Sequence, residues 1–474
     1  MPQLSICSRT FFRYRFVMPG ENKMESTHAL PVLGRSGAQK RIPVILIILS
    51  LSFLVAFDDF ARTIDPLKLD NLFDTLTASN LAIGSVAIMQ RGKLVYQRTV
   101  GNAQPREATY RIGSITKVFT AVMTYQAIEE KKLSLEDSLD KFIPGLANAD
   151  KITIAELLGH RSGLANFTAT ATHFDNWKDQ QQTHEQLLTF IRNQPPDFAP
   201  GTKADYNNSN FLLLGYILEK IYHRPYKAIL EEKLIHKLGL QNTYYGDHPG
   251  FQGQEAISYK YFDNQWRPEK AVCLDNFGGA GAIISTPQDL CKFINAIFHG
   301  KCLGHSSLAR MTRIEKDGYG WGMFPFGDRL HRGYGHNGKT EGFAASVQYY
   351  PENKLAIAYC TSGEVYPKDK ILDDVVKLCF QEPCNIPSFT PVTLTERQLR
   401  PFTGTYAGDN GLQVKGSVVN GALVLETKGQ QFYLDALSEL EFRNVRFGFF
   451  FDFDPDGRQL AVHDAAVTYR LHKE

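Results

Sequence analysis

The chain has 474 residues, of which 43% are apolar and 22% charged, and its lysines and arginines outnumber its aspartates and glutamates by two. Such a length exceeds what one hydrophobic core usually organises and predicts two folded units, while the ordinary composition excludes extensive disorder. The near balance of charge, with no basic face interleaved with aromatic residues, argues against a nucleic-acid partner.

The N-terminal segment has the layout of an export signal. Basic residues precede a charge-free apolar run at 44–57, and Asp58 and Asp59 follow it directly. These fourteen residues would rise only about 21 Å as a helix, short of the roughly 30 Å hydrocarbon core of a membrane. Residues 1–61 are therefore predicted to be a cleaved signal, with a signal anchor as the alternative. Both alternatives predict an exported protein, periplasmic or extracellular.

Two β-hairpins are predicted in the part of the chain that follows. The first joins β-rich runs at 85–90 and 94–100 through a tight turn, and the second joins runs at 343–350 and 355–361. The residues between these hairpins have a mainly helical pattern. This part of the chain is therefore predicted to contain a hairpin, a helix-rich middle and a second hairpin.

Two of the predicted helices bear on function. One begins near Ser114, because apolar residues recur at helical spacing from there to the charged run at 129–132. The other covers 211–221, with Asn208 or Ser209 as its N-cap.

A proline-rich stretch divides the chain. Three prolines between Glu382 and Thr393 predict a stiff linker. After it, Asn420-Gly421 lies between two strand patterns, which is the strongest short hairpin signal and favours a small antiparallel β-barrel. The predicted division is a signal or anchor at 1–61, a first domain at 62–381, a linker at 382–393 and a barrel at 394–474.

The first functional motif is Ser114-Ile115-Thr116-Lys117 at the predicted helix start. Positions three apart share a helix face, so the lysine can reach the serine hydroxyl. A lysine kept neutral by desolvation can take the proton of a serine nucleophile, and free N–H groups at the helix start favour an oxyanion. The alternative is that Ser114 only caps the helix while Lys117 stays in solvent.

Two further segments follow in order, namely Tyr206-Asn207-Asn208 and His336-Asn337-Gly338. With the serine and lysine motif they resemble the SxxK, YxN and [KH]xG elements of the serine β-lactamase-like family. This family includes class C β-lactamases, DD-peptidases and related esterases. The likeness extends from near Leu69 to near Phe380, which is the size of a complete catalytic domain.

The resemblance implies an α/β (α+β) catalytic domain, with an antiparallel sheet flanked by helices and a mostly helical lobe. The C-terminal barrel resembles the lipocalin-like appendages of some members. The resemblance also implies that Ser114 is acylated and that Lys117 and Tyr206 share the proton transfers, either of them being the base. It also implies that His336 supplies a positively charged or hydrogen-bonding group to the active site.

The resemblance further implies the groups that hold the substrate. Asn208 and Gly338 would line its binding site, and the backbone N–H groups of Ser114 and Lys339 would form the oxyanion hole. Asn337, also assigned to substrate binding, replaces the threonine or serine that usually takes a substrate carboxylate. This replacement argues against β-lactams and terminal carboxylates as substrates.

Two other motifs are poorer matches to function. Residues 333–340 fit the phosphate-loop pattern, but a strand-like run follows where a helix is needed. Residues 452–463 begin like a calcium-binding loop but end in His463 instead of glutamate. The sequence therefore predicts an enzyme that needs no metal or cofactor.

Taken together, these patterns predict an exported serine hydrolase that forms an acyl-enzyme at Ser114 with amide, D-peptide or ester substrates. The expected partner is a small molecule or peptide of cell-wall origin, with no nucleic acid. The alternative is a non-catalytic cell-envelope protein that uses the same scaffold for binding or assembly. Anchorage through residues 44–57 and the oligomeric state stay open.

Overall fold

The structure is a computed structural model that describes residues 64–101, 107–169, 174–247, 254–409, 411–464 and 468–474. The predicted signal or anchor at 1–61 lies outside the described residues. Across these ranges, none of the helices combines the length and the apolar character that a membrane span requires.

The described strands and helices are numbered in chain order. The strands are β1 Ala82–Gln90, β2 Lys93–Val100, β3 Tyr110–Arg111, β4 Tyr244–Tyr245, β5 Tyr259–Phe262, β6 Gln265–Pro268, β7 Ile283–Ser285, β8 Phe324–Gly327, β9 Arg332–Lys339, β10 Ala344–Tyr350, β11 Leu355–Glu364, β12 Gly404–Ala407, β13 Gln413–Val419, β14 Ala422–Thr427, β15 Gln430–Tyr433, β16 Asp435–Ala436, β17 Glu441–Asn444, β18 Phe449–Phe453, β19 Gln459–His463 and β20 Thr468–Lys473. The α-helices are α1 Pro66–Ala78, α2 Thr116–Glu129, α3 Ile154–Leu158, α4 His184–Arg192, α5 Asn208–Tyr222, α6 Tyr226–Leu230, α7 His236–Leu238, α8 Pro287–Phe298, α9 His305–Met311, α10 Lys368–Phe380 and α11 Glu396–Leu399. Short 3₁₀ turns cover Gly113–Ile115, Leu139–Lys141, Phe174–Asn176, Leu274–Ala280 and Arg400–Phe402, and Glu231–Ile235 forms a π-helical turn.

An antiparallel sheet organises the first unit, with strand order β2-β1-β11-β10-β9-β8. Both predicted hairpins are confirmed as β1–β2 and β10–β11. The tight turn of the first is Arg91-Gly92, and both residues have positive φ, as a two-residue hairpin turn requires. Strands from both ends of the unit therefore meet in one sheet.

The two faces of this sheet pack against different helices. On one face, α1 and α10 contribute residues such as Phe73 and Val375 to a core with Ile88 and Tyr359 of the sheet. On the other face, α2 and α8 pack against residues such as Ala87 and Cys360. Neighbouring strand residues alternate between the two cores, as the pleat of a strand requires.

Helix α2 is the central helix of the mainly helical part. Every residue from Thr116 to Ala127 is buried, so the helix has no solvent-facing side. The 3₁₀ turn Gly113–Ile115 leads directly into it, which confirms the predicted helix start near Ser114. A lysine in the first turn of such a helix must be buried as well.

Helix α5 confirms the second prediction but corrects its cap. The N-cap is Asn207, whose side-chain oxygen accepts the Ser209 N–H at 2.7 Å, and not Asn208 or Ser209. The helix starts earlier than the apolar pattern indicates, because Asn208 and Ser209 already lie in its first turn. Asn208 is thereby presented from the beginning of a rigid helix.

The C-terminal strands form one nine-stranded sheet, ordered β15-β14-β13-β12-β20-β19-β18-β17-β16. Its two edge strands, β15 and β16, are separated in the chain by Leu434 alone, so the sheet curls until its edges almost meet. The predicted barrel is thus confirmed as a nearly closed one. Side chains such as Phe402, Phe442 and Phe453 fill its interior.

The barrel packs directly on the first unit. Phe450 of the barrel lies edge-on to Tyr366 at 5.1 Å between ring centroids and to Phe389 at 6.1 Å. Beside these rings, the ammonium of Lys370 pairs with Glu441 at 2.9 Å and with Asp452 at 2.8 Å. Apolar and charged contacts together join the two units.

The two motifs set aside from the sequence have ordinary structural roles. Residues 333–339 of the phosphate-loop pattern belong to β9. The acidic run at 452–456 enters the turn between β18 and β19, where Asp454 accepts the N–H groups of Arg458 and Gln459. Neither segment has the helix that its motif would need.

Candidate active site

Ser114 lies in the 3₁₀ turn that leads into α2, with its side chain partly exposed. Its hydroxyl oxygen is 2.9 Å from the Nζ atom of Lys117. One helical turn separates the two residues, so local geometry alone brings them together. The serine and lysine pair predicted from the sequence is therefore in hydrogen-bond contact.

Lys117 is fully buried, at 0% exposure. Its Nζ lies 2.7 Å from Oδ1 of Asn208 and 2.8 Å from the carbonyl oxygen of Ala280. Burial lowers the pKa of Lys117 well below the usual value for lysine, because the charged form loses its hydration. A neutral Lys117 amine could accept the proton of Ser114.

Strand β9 passes very close to the nucleophile turn. A Cβ atom at position 338 would overlap the carbonyl oxygen of Ile112 and lie 3.2 Å from the Ser114 nitrogen. A Cβ atom at position 113 would lie 2.7 Å from the Lys339 nitrogen. Glycine at both positions lets the two backbones meet, and brings the predicted oxyanion donors of Ser114 and Lys339 to one place.

The same strand has an open edge beside Ser114. Strand β8 pairs with residues 332–335 of β9 only, whereas β10 pairs with residues 334–339 on the opposite side. The half of β9 that contains Gly338 and Lys339 thus has no strand on its outer edge among the described residues. An extended substrate could align there.

Tyr206 precedes α5 and faces the same centre. Its ring centroid is 4.9 Å from the Nζ of Lys117 and 6.2 Å from the ring of His336. On its other side the ring of buried His160 lies at 4.6 Å. The second predicted element is therefore next to the first, with aromatic rings fixing the tyrosine.

His336 is buried and its Nδ1 contacts the carbonyl oxygen of Asn337, to which it must donate an N–H. This bond makes Nε2 the acceptor nitrogen of a neutral ring. Burial, with a smaller effect of Lys117, lowers the pKa of His336 to about 3. Of the two roles predicted for His336, these findings favour hydrogen bonding over a positive charge.

The two predicted substrate-binding asparagines have different surroundings. Asn208 accepts a hydrogen bond from Lys117 and donates one to Oγ1 of Thr168 at 2.8 Å. Asn337 accepts one from Nζ of Lys368 at 3.3 Å. Asn208 is thus part of the Lys117 network, while Asn337 is tied to the first turn of α10.

Several site residues were missed by the sequence reasoning. His160 lies within a stretch, Leu157 to Leu164, that resembles the family, and its Nδ1 accepts the Asn207 N–H at 3.1 Å. Burial, Lys117 and His336 lower its pKa well below the usual value. The Ala280 carbonyl and Lys368 had no sequence signal, because backbone acceptors and long-range contacts leave none. Across the ranges that the structure describes, no group of three metal-ligating side chains occurs.

The β-lactamase family profile matches residues 69–380, which is more than half of the chain. The protein belongs to the β-lactamase family. The matched range includes Ser114, Lys117, Tyr206 and His336, so all three motif segments of this β-lactamase-family chain lie within its family domain. The range ends at the last residue of α10, before the barrel.

Relatives of this β-lactamase-family chain support a hydrolase. It is 23% identical to penicillin-binding protein 4* of Bacillus subtilis, over 79% of this chain and 93% of that protein. It is 26% identical to the teichoic acid D-alanine hydrolase of Staphylococcus aureus, over 64% of this chain and 77% of that protein. The chain is thus a β-lactamase-related serine hydrolase.

Solved structures show the same fold. A D-stereospecific amidohydrolase from Streptomyces sp. is 25% identical with a TM-score of 0.59, covering 65% of this chain and 97% of that structure. An octameric penicillin-binding protein homologue from Pyrococcus abyssi is 22% identical with a TM-score of 0.61, covering 86% of this chain and 99% of that structure. The Streptomyces structure thus matches about two thirds of this chain, whereas the Pyrococcus abyssi structure matches a larger share of it.

Proposed function

We propose that this protein is an exported hydrolase that cleaves amide or ester bonds of small D-amino-acid compounds, including cell-wall-derived peptides, through an acyl-enzyme at Ser114. The contact of 2.9 Å between Nζ of fully buried Lys117 and Oγ of partly exposed Ser114 is the observation that carries this proposal. Activated serines need an adjacent base, and Lys117 is the base within reach.

Acylation begins when the Ser114 oxygen attacks the substrate carbonyl and its proton passes to Lys117. The N–H groups of Ser114 and Lys339 then hold the oxyanion. When the tetrahedral intermediate collapses, the leaving group takes a proton from the network of Lys117 and Tyr206. Water then attacks the acyl-enzyme, and the same network accepts its proton and returns it to Ser114.

The remaining site residues hold and orient the substrate. The amide of Asn208 is fixed by Lys117 and Thr168, so it presents a constant hydrogen-bonding edge to a substrate amide. Neutral His336 supports Tyr206 from the other side of the site. Gly338 leaves room for a substrate to approach the open edge of β9.

The substrate class is supported by the relatives. Their names identify a teichoic acid D-alanine hydrolase and a D-stereospecific amidohydrolase, and both names imply D-configured acyl groups. Asn337, which stands where a carboxylate-binding hydroxyl is usual, disfavours β-lactams. Export is supported by the apolar run at 44–57 with its basic flank.

The test is the intact mass of the purified protein and of a Ser114→Ala twin after exposure to a serine-reactive fluorophosphonate. An adduct on the parent alone establishes Ser114 as an activated nucleophile. Folded protein that forms no adduct and turns over no amide or ester would contradict the proposal, and would favour binding or assembly at the cell envelope.

A further inference from the structure

The end of β9 beyond Lys339 is shaped by a tight turn. The Thr340 N–H donates to the Phe343 carbonyl at 3.1 Å, which places Glu341 at the tip beside Gly342 with its φ of +65°. A Cβ atom at position 342 would lie 2.6 Å from Cβ of Ser258 and 3.0 Å from an oxygen of Glu269. The turn is therefore packed against the base of the β5–β6 hairpin.

An ion pair joins this turn to the helical part. The ammonium of Lys178, which follows the 3₁₀ turn before α4, is 3.5 Å from the Glu341 carboxylate. The backbone oxygen of Lys178 accepts the Cys273 N–H at 2.9 Å, so the lysine is held in place. The contact links the end of the sheet, just beyond the predicted oxyanion donor Lys339, to the helical part. We call the turn at 340–343, with the pair of Lys178 and Glu341, the closed end of the site.

The closed end has more negative than positive charge. The Glu341 side chain is only 18% exposed, and its ion pair with Lys178, the one found among the described residues, is long at 3.5 Å. Lys178 also pairs with Asp175 at 2.7 Å, so its charge is shared. Burial and the neighbouring Glu269 raise the pKa of Glu341, although Lys178 opposes this. Glu341 therefore lacks a full counter-charge and would gain from a bound cation.

The hydroxyl of Thr340, in the same turn, is buried and has no hydrogen-bond partner among the described residues. Buried hydroxyls are normally hydrogen-bonded. An unpaired Thr340 hydroxyl next to Glu341 is therefore consistent with a site at which a bound ligand supplies the missing partner.

The position of the proton donor decides which part of the substrate reaches this end. Tyr206 lies beside His336 and Phe324, with its ring 6.1 Å from that of Phe324. Phe324 pairs with Gly335, four residues before Lys339 along β9. With Tyr206 as the proton donor, the leaving group would depart toward Phe324. The acyl group would then lie toward the opposite end of β9, where Glu341 lies.

We propose that Glu341 binds the α-ammonium group of the acyl residue, so that the enzyme releases single aminoacyl groups that have a free amine. This inference rests on the proposed function of Ser114. Glu341 follows the predicted oxyanion donor Lys339 by two residues, and together with the Thr340 hydroxyl it supplies acceptors for the N–H groups of an amine. Acetylation of the substrate amine would remove its positive charge and add atoms at the closed end.

The experiment compares kcat/KM for alanine p-nitroanilide, N-acetylalanine p-nitroanilide and propionyl p-nitroanilide, using both enantiomers where they exist. The parent is expected to favour the free amine over the acetylated compound by about tenfold or more, which is the size of a charge-assisted hydrogen bond. Glu341→Gln is expected to lose about tenfold on the free amine and to retain activity on the propionyl compound.

Asp179→Asn is the matched control. Asp179 is the neighbour of Lys178 in the chain, but its ion pair is with Lys270 and it is not part of the turn that contains Glu341. It should keep the parent preference. Equal turnover of free and acetylated compounds by the parent would overturn the inference without any variant, and so would a Glu341→Gln loss that is equal on all compounds. If no compound is turned over and Ser114 takes no fluorophosphonate, the proposed function fails instead.

Discussion

Lys117 shows how a single side chain acquires its chemistry from its surroundings. Lys68 on α1, for comparison, is exposed to solvent. Lys117 has 0% exposure, and its Nζ lies within hydrogen-bond distance of oxygens of Ser114, Asn208 and Ala280. Burial favours its neutral form, which is the form that can accept a proton.

Replacing Lys117 with methionine keeps the length of the side chain and removes the base. We expect Lys117→Met to lower the rate of acylation roughly 10²- to 10⁴-fold, the usual contribution of general-base catalysis. Lys68→Met is the control and should retain the parent rate. The release of p-nitrophenol in a burst assay measures acylation directly, and an unchanged burst in folded Lys117→Met would show that another group is the base.

The buried histidines make stability depend on pH. The pKa of His336 falls from 6.5 to about 3 because burial and Lys117 disfavour its charged form. Between these values the unfolded chain binds a proton that the folded chain does not, so stability falls as the pH is lowered from 6.5 toward 3. We expect His336→Gln to reduce this slope, as measured by urea unfolding between pH 7 and pH 4. A slope identical to that of the parent would contradict the pKa assignment.

At the scale of elements, the start of α5 connects helix stability to the site. Asn207 caps the helix through Ser209, and its own N–H donates to His160, which packs on Tyr206. The next residue, Asn208, contacts Lys117. The cap at Asn207 therefore helps to position both His160, which packs on Tyr206, and Asn208, which contacts Lys117.

Asn207→Ala removes the side-chain acceptor of this cap. We expect it to lower the free energy of unfolding by about 1 kcal/mol, the typical cost of losing an N-cap, and to lower kcat because Asn208 is less well placed. Asn207→Ser should restore most of both quantities, since serine is also a good N-cap. Thermal unfolding and steady-state kinetics on the three proteins test this, and failure of serine to rescue would show that the cap is not the cause.

For the whole molecule, the contact between the catalytic unit and the barrel is an extension of the core. Phe450 is 2% exposed and belongs to the same buried cluster as Phe73 and Val375 of α1 and α10. Phe389 lies within the proline-rich stretch and is also buried in this cluster. The stretch at 382–393 is thus packed against both units instead of acting as a free tether.

Phe450→Ala should separate the unfolding of the two units. Removing a buried phenylalanine typically costs about 3–5 kcal/mol, and here the loss falls on the contact between the units. We expect one calorimetric transition for the parent, and for the variant a lower Tm with two resolved transitions. Tyr433→Ala, on an exposed barrel position, is the control. A single transition at the parent Tm in Phe450→Ala would show that this contact contributes little.

Short-range patterns in the sequence determined much of the fold and the main site residues. Turn residues such as Arg91-Gly92 and Asn420-Gly421, strand alternation and the spacing of Ser114 and Lys117 depend only on near neighbours, so they could be predicted. The family likeness supplied Tyr206, Asn208 and His336, and the structure brings them around Lys117. The division into domains remains a prediction.

Only the tertiary structure decided the features that depend on distant segments. The burial of Lys117, the neutral state of His336 and the contacts of His160, Lys178 and Glu341 arise from elements far apart in the chain. Burial sets the cost of charge, and packing sets which polar groups meet, so neither can be derived from local spacing. The sequence therefore identified the candidate residues for the chemistry, and the fold decided their burial, their neighbours and their orientation.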